Sequence, residues 1–235
     1  MTKLYFDGVT KDYVTVLSKG RPYWAPFSRE VQVMPNGRKR LVKTENEAVT
    51  IPVEILIDGN SKEDLLKKAE EIGTWLITKN EKPLQFSDEM NRSYIALLDG
   101  GIDVDEVVSF SRCTVDFLVL DKVGVEKTIN VTTSNATHTI TGQDNAPWEI
   151  SLRFTAKTNK FELETNSGLY ILLGFEFIEG DRLTIKYEGR EVWLNDDRDL
   201  RHSIRLASNY ELLEPGEIKI RASHACELKY DERFY

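Results

Sequence analysis

The sequence predicts a mainly β protein with an α+β first domain and an all-β second domain. Short runs in which apolar and polar residues alternate recur along the chain, and the clearest spans residues 51–57. Successive side chains of a strand point to opposite faces, so each run buries one face of a sheet. Further runs of this kind begin at Cys113, Ile150, Leu183 and Ile218.

Turn residues separate these runs. Gly and Asn tolerate the positive φ angles of tight turns, and they occur at Asn36-Gly37, Gly180, Gly189 and Pro215-Gly216. The longest apolar run, residues 169–175, is much shorter than the roughly 20 residues that a membrane helix needs. We therefore interpret it as a buried strand, and we expect no membrane segment.

Residues 61–79 have a helical pattern instead. Their apolar side chains repeat at the 3.6-residue period of a helix, at Leu65, Ala69, Ile72 and Leu76. Ser61 is a suitable N-cap, with Asp64 three residues later, and Lys79 would lie near the negative end of the helix dipole. The pattern predicts one amphipathic helix, with Trp75 widening its apolar stripe, packed on a β-sandwich-like sheet.

The composition changes near residue 124. Residues 121–127 lack large apolar side chains, and residues 132–145 are rich in Thr, Ser, Asn and Gly. We predict domains at 1–123 and 124–235, joined by an exposed polar connection. Since exposed connections are preferred protease sites, cleavage between residues 121 and 147 is expected. Many short strands in the second half indicate a sandwich.

Charge and cysteine content restrict the function classes. The net charge of −8 argues against a general nucleic-acid surface, because excess carboxylates repel phosphates. The N-terminal residues show no secretory pattern, so we expect synthesis in a cytoplasm. Cys113 and Cys226 are expected to be buried thiols, with a disulfide as the alternative.

Patterns for catalysis or metal binding are weak. The histidines, His138, His202 and His224, are widely spaced, and no phosphate loop, dinucleotide fingerprint or nucleophile elbow occurs. His224 and Cys226 would share one face of a strand, but no group is evident that would orient them. We predict no enzyme activity, catalytic residue, metal ligand or cofactor.

Two acidic clusters are interpreted as solvated turns. They consist of Asp103, Asp105 and Glu106, and of Asn195, Asp196, Asp197 and Asp199. Calcium sites and glycosidase carboxylate pairs are the alternatives. Neither cluster has the central Gly and terminal Glu of a calcium loop, while Asp and Asn commonly cap turns.

Aromatic residues supply the candidate contact sites. Trp193 faces away from Val192 and Leu194 in its strand, which fits a partner or sugar contact, or a cover for the second face of a sheet. In residues 20–30 two prolines bracket Tyr23 and Trp24, and arginines flank both ends. Proline is excluded from sheet interiors, and Trp, Tyr and Arg anchor interfaces. The candidate interface residues are Arg21, Pro22, Trp24, Pro26 and Arg29, and a loop covering the core is the alternative.

The order of motifs in the first half resembles a known family. The matching elements are Gly20-Arg21-Pro22, Ala25-Pro26, Arg29-Glu30, Asn36-Gly37-Arg38, the 51–57 strand, and the segments 71–76, 83–88 and 94–96. This succession resembles the distal tail proteins of siphophages and related prophages over about the first 120 residues. The strand-rich second half, with its Pro215-Gly216 turn, is similar to the family's galectin-like C-terminal domain.

The resemblance implies a structural role at the virion tail tip. Members of this family form a homohexameric ring from their N-terminal domains. The ring joins the tail-tube protein to the tail fibre or lysin, and the C-terminal domains project outward and carry receptor-binding or other baseplate proteins. The second half shows no recognisable galectin sugar motif.

Two rival functions remain open at the sequence level. The first is a carbohydrate-binding β-sandwich module, with Trp193, Tyr187 or Tyr210 as stacking platforms. The second is a glycosidase with two carboxylates, for which the sequence shows no pair at a defined spacing.

Overall fold

The computed structural model of the chain describes residues 2–20, 26–101, 104–106 and 110–235. The chain divides into two compact units. Unit 1 comprises residues 1–123 together with Phe234 and Tyr235, and unit 2 comprises residues 124–233. The sheets are antiparallel and the described residues contain a single α-helix. The predicted mainly β fold class is confirmed.

Unit 1 is built on one antiparallel sheet with a helix. Its elements are β1 (Leu4–Phe6), β2 (Val14–Lys19), β3 (Phe27–Val33), β4 (Lys39–Asn46), β5 (Val49–Asp58), α1 (Lys62–Leu76), β6 (Lys82–Phe86), β7 (Ser93–Asp99), β8 (Val104–Glu106) and the first part of β9 (Phe110–Val131). Strand β9 pairs with β5 on one side and with β7 and β8 on the other. The alternation in residues 51–57 is confirmed, since its Val and Ile side chains are all buried.

The helix α1 packs its predicted apolar face on the core of unit 1. Ser61 caps its start, where the Ser61 hydroxyl accepts a hydrogen bond from the Asp64 backbone N–H at 3.2 Å. The buried side chains on its apolar face are Leu65, Ile72 and Leu76. The helix ends three residues before Lys79, because Ile77 adopts an extended conformation. No helix among the described residues is long and apolar enough to cross a membrane.

Unit 2 is a sandwich of two antiparallel sheets. After the last part of β9 its strands are β10 (Ala136–Ile140), β11 (Trp148–Arg153), β12 (Phe161–Thr165), β13 (Tyr170–Leu173), β14 (Arg182–Lys186), β15 (Val192–Leu194), β16 (Arg198–Asp199), β17 (Gly216–Ala222) and β18 (Cys226–Arg233). One sheet has the order β9-β18-β11-β14-β15-β16 and the other β10-β17-β12-β13. The inner faces of both sheets contribute to one continuous apolar core.

The prediction that an exposed, polar connection joins the two domains is wrong, because much of this stretch forms strands. Residues 121–131 belong to β9, and residues 136–140 form β10. The polar side chains of this stretch do not prevent pairing, because a strand needs apolar residues on only one face. Ile129 and Val131 supply that buried face.

We therefore expect limited proteolysis to start in the β3–β4 hairpin and not between residues 121 and 147. All side chains described in β3 and β4 are exposed, and the turn between the strands is followed by Arg38, Lys39 and Arg40. Trypsin should cut first after one of these residues, as mass spectrometry of early fragments would show. A variant with all three changed to Gln should lose the early cut. A first cut at Lys122 or Lys127 would contradict the expectation.

Candidate assembly surface

The hairpin of β3 and β4 exposes every side chain that the structure describes in its two strands. Among the described strands, these two pair only with each other. Val31 lies opposite Leu41, and the two side chains are 50% and 54% exposed, while Val33 on the same face is 63% exposed. A lone two-stranded hairpin is marginally stable in water, and exposed apolar clusters mark contact sites. This face of the hairpin therefore has the character of a binding surface.

The hairpin also differs in charge from the rest of the chain. Residues 27–46 contain two acidic residues and five basic ones, namely Arg29, Arg38, Lys39, Arg40 and Lys43. Their net charge is +3 in a chain of net charge −8, so the remaining residues carry −11. A basic, partly apolar hairpin is thus electrostatically complementary to the acidic remainder of a second copy.

Backbone hydrogen bonds hold the chain on both sides of the aromatic-proline segment. The Gly20 N–H donates to the Pro52 carbonyl at 2.9 Å, and the Pro26 carbonyl accepts from the Glu47 N–H at 2.9 Å. Pro26 thus stands at the base of the hairpin. Arg29 lies in β3 opposite Thr44 and is exposed.

The candidate interface is only partly described by the structure. Arg21, Pro22 and Trp24 lie outside the described residues, so their role as interface residues stays a prediction. Val31, Val33 and Leu41 were not among the contact residues predicted from the sequence. The sequence feature that could have identified them is a pair of runs with alternating apolar and polar residues. These runs lie on either side of Asn36-Gly37, within an unusually basic stretch.

Trp193 is half-buried in β15 of unit 2. It lies opposite Thr184 of β14 and Asp199 of β16. Its indole N–H donates to the Glu191 carboxylate at 3.2 Å. Its role as a partner or sugar contact stays a prediction.

The two tyrosines considered as sugar platforms cover the core of unit 2. Tyr210 stacks on Trp148 with ring centroids 5.5 Å apart, and Tyr187 meets the same ring edge-on at 6.1 Å. Burial raises the pKa of Tyr210 to about 12. Both rings pack on Trp148 and remain partly exposed, so their role as sugar platforms stays a prediction.

The second acidic cluster forms a turn, as predicted. Asn195 accepts a hydrogen bond from the Arg182 N–H at 2.9 Å and donates to Asp181 at 3.0 Å, while Asp196 pairs with Arg182 at 3.2 Å. The positive φ angles of Asn195 and Asp196 suit residues that tolerate the left-handed region. Asp199 lies just beyond the turn, in β16.

The turn prediction is wrong for part of the first acidic cluster. Asp105 and Glu106 belong to β8, which pairs with β9. Asp103 lies outside the described residues. Charged residues are not typical of strands, but pairing with a long neighbouring strand can override this local preference.

The histidines lie in three different segments of unit 2. His224 precedes β18 and does not share the strand with Cys226, and its ring lies 2.9 Å from the Ser223 hydroxyl and edge-on to Phe154. Burial lowers its pKa. His138 lies in β10 and His202 in a 3-10 turn at Arg201–Ser203. Within the described ranges, no three His, Cys, Asp or Glu side chains are grouped to hold a metal ion.

Cys113 and Cys226 are buried free thiols, which confirms the prediction. Burial raises the pKa of Cys113 to about 11 and that of Cys226 to about 12. The thiolate is the reactive form, so alkylation of the folded protein at pH 8 should be slower than that of an exposed thiol by more than about a hundredfold at Cys113 and by more than about a thousandfold at Cys226. The rate should increase as the pH approaches these values. Rapid iodoacetamide labelling at pH 8, read by mass spectrometry, would contradict this, and the urea-unfolded protein is the control.

Two phage-tail family models together match most of the chain. A phage tail protein RIFT-related domain matches residues 9–119. A siphovirus-type tail component, C-terminal domain, matches residues 141–234. The distal tail protein of Bacillus phage SPP1 is 24% identical over 222 residues, which cover 88% of this chain and 87% of the relative.

Solved structures show the same fold. The crystal structure of the SPP1 distal tail protein, described as a hub of the adsorption apparatus in phages that infect Gram-positive bacteria, superposes with a TM-score of 0.88 at 18% identity and covers 100% of both chains. A chain of the phage p2 baseplate in its activated conformation has a TM-score of 0.57 at 10% identity and covers 98% of this chain and 97% of that one. With a phage-tail family model matched in each unit and a distal tail protein related over most of its length, the chain belongs to the siphophage distal tail protein family.

Proposed function

We propose that six copies of this chain close into a ring at the tip of a phage tail. The observation that carries the proposal is the exposed, basic hairpin of β3 and β4, with Val31, Val33 and Leu41 on one face. The occupant of this face is a second copy, because the remainder of the chain has the complementary acidic charge. Such a contact joins different patches on the two copies, and heterologous contacts of this kind generate a closed ring when the rotation between successive copies closes after a whole number of copies.

Each unit has a separate role in this proposal. Unit 1 builds the ring, which joins the tail-tube protein to the tail fibre or lysin. Unit 2 carries receptor-binding or other baseplate proteins, with Trp193 as a candidate contact. The protein is made in the host cytoplasm, is incorporated into the virion tail tip and has no catalytic activity. The relationship to the SPP1 distal tail protein supports these assignments.

Microscopy and mass measurement test the ring directly. The purified protein, alone and mixed with its tail-tube protein, is measured by light scattering and imaged by negative staining. We expect particles of six copies with sixfold symmetry and a central channel in at least one of the two samples. Monomers in both samples, or rings with another copy number, would contradict the proposal. Repeating the mass measurement at high and low salt shows how much electrostatic attraction contributes to assembly, because salt screens exposed charges.

Trp24 is the proposed anchor of the 20–30 segment in the ring interface. Trp24→Ala should weaken assembly about tenfold or more, because a truncated interface Trp often costs about 2 kcal/mol of binding. Arg21→Glu should act in the same direction by reversing a charge at the contact. Thermal unfolding must be compared at concentrations where the wild type is monomeric, since assembly itself stabilises the fold. A sharply lower melting temperature with unchanged assembly would instead make Trp24 part of the core cover.

A further inference from the structure

Two aromatic residues pack against unit 1 beside the base of the hairpin. The Phe234 N–H donates to the Lys122 carbonyl at 3.0 Å, and the Phe234 ring lies 3.6 Å from the guanidinium carbon of Arg92. The Tyr235 ring meets the edge of Phe27, the first residue of β3, with centroids 5.6 Å apart. These contacts connect the first residue of the hairpin to the sheet of unit 1.

A cleft of about 60 Å³ lies beside the two rings. Its walls come from the end of the hairpin and from the main sheet, and include Asn46, Glu47, Ile51, Tyr94 and Leu120. Phe234 and Tyr235 line the same cleft. The aromatic pair therefore lies next to the site where β4 joins β5.

The described part of the hairpin forms a two-stranded sheet that is separate from the main sheet. Its strands pair only with each other, and the hydrogen bond from the Glu47 N–H to the Pro26 carbonyl closes its base. Aromatic pairs and cation–π contacts each contribute favourably beyond the area they bury. Loss of the ring contacts would thus leave the base of the hairpin free to open.

We propose that Phe234 and Tyr235 form a latch that holds the base of the β3–β4 hairpin on unit 1. Arg92 positions Phe234, and Phe27 receives Tyr235. Because Phe234 directly follows β18, the latch is covalently joined to unit 2. The latch itself does not depend on ring formation. Only its consequence rests on the proposed function: in the ring, the latch presents the hairpin to the next copy in one orientation.

Hydrogen exchange in the full-length monomer tests the latch. Phe234→Ala and Tyr235→Ala should each raise the exchange rate of the Glu47 amide by up to about tenfold, while amides in the centre of β5 stay unchanged. Arg92→Gln removes the cation and leaves both rings, so it should raise the rate by a smaller factor. Phe110→Ala is the matched control, since Phe110 is a 41% exposed phenylalanine of unit 1, as Phe27 is.

The outcomes separate the latch from the ring. Unchanged Glu47 exchange in both aromatic variants, or an equal rise in Phe110→Ala, overturns the latch. A rise confined to the latch variants supports it, whether or not rings form, because the measurement is made on monomers. Failure of ring formation would appear in the mass measurement of the wild type and not in the exchange rates.

Discussion

Replacing Leu41 with glutamate should weaken self-association of the protein by about a hundredfold or more. The substitution puts an unpaired negative charge on the apolar face of the hairpin, opposite Val31, where a second copy with an acidic surface would cover it. A buried charge without a partner costs about 3–5 kcal/mol, and every 1.4 kcal/mol is about tenfold in affinity. Sedimentation velocity over a concentration series measures the shift.

The stability of the isolated protomer should barely change. Leu41 is 54% exposed, and substitutions at such surface sites usually alter stability by less than about 0.5 kcal/mol. Leu206→Glu is the matched control, because Leu206 is fully exposed in unit 2, away from the hairpin in sequence. If Leu41→Glu associates as well as the wild type, the hairpin is not the contact between copies.

Trp148→Ala should destabilise unit 2 by about 3–5 kcal/mol, the usual cost of removing a buried Trp. Trp148 is 3% exposed, and its indole N–H donates to the Glu211 carbonyl at 2.8 Å. Tyr187 and Tyr210 both pack on its ring, so a cavity there would also loosen their packing. Thermal unfolding followed by circular dichroism should show a transition at least about 10 °C lower.

Trp193→Ala provides the comparison within the same unit. Trp193 is half-buried and its N–H bonds to the Glu191 carboxylate, so its loss should destabilise unit 2 much less. A loss of stability equal to that of Trp148→Ala would make Trp193 a core residue and remove it as a candidate contact. Trp148→Phe should recover most of the stability, because it retains much of the buried apolar area.

Patterns that depend on local geometry were sufficient to predict much of the fold. One buried face imposes a period of two on a strand and of 3.6 on a helix, and this is why residues 51–57 and the helix after Ser61 could be identified. The Ser61 cap was predictable for the same reason, since its hydrogen bond joins residues three apart. The end of the helix was not predictable. Ile77 adopts an extended conformation, but the sequence contains no strong helix breaker at this point.

Residue patterns could not distinguish a buried strand from an exposed one. Val31 and Val33 alternate with polar residues as Ile51 and Val53 do, yet the first pair is exposed and the second buried. Whether an apolar face is buried depends on what packs against it, and this is determined by contacts distant in sequence. Residues 121–131 could not be identified as a strand for the same reason. Their composition is polar, and their pairing in β9 depends on strands that are distant in sequence.

The sequence by itself determined the mainly β class, the one amphipathic helix, the buried thiols and, through the order of its motifs, the family. Only the tertiary structure decided which apolar residues remain exposed and which aromatic rings pack against other rings. Tyr210, a candidate platform in the sequence, packs on the Trp148 ring, and Leu41, whose strand shows the same apolar-polar alternation as buried strands, is 54% exposed. Burial is a property of the assembled chain, because each apolar group is shielded from water by residues that its own neighbours in sequence do not specify.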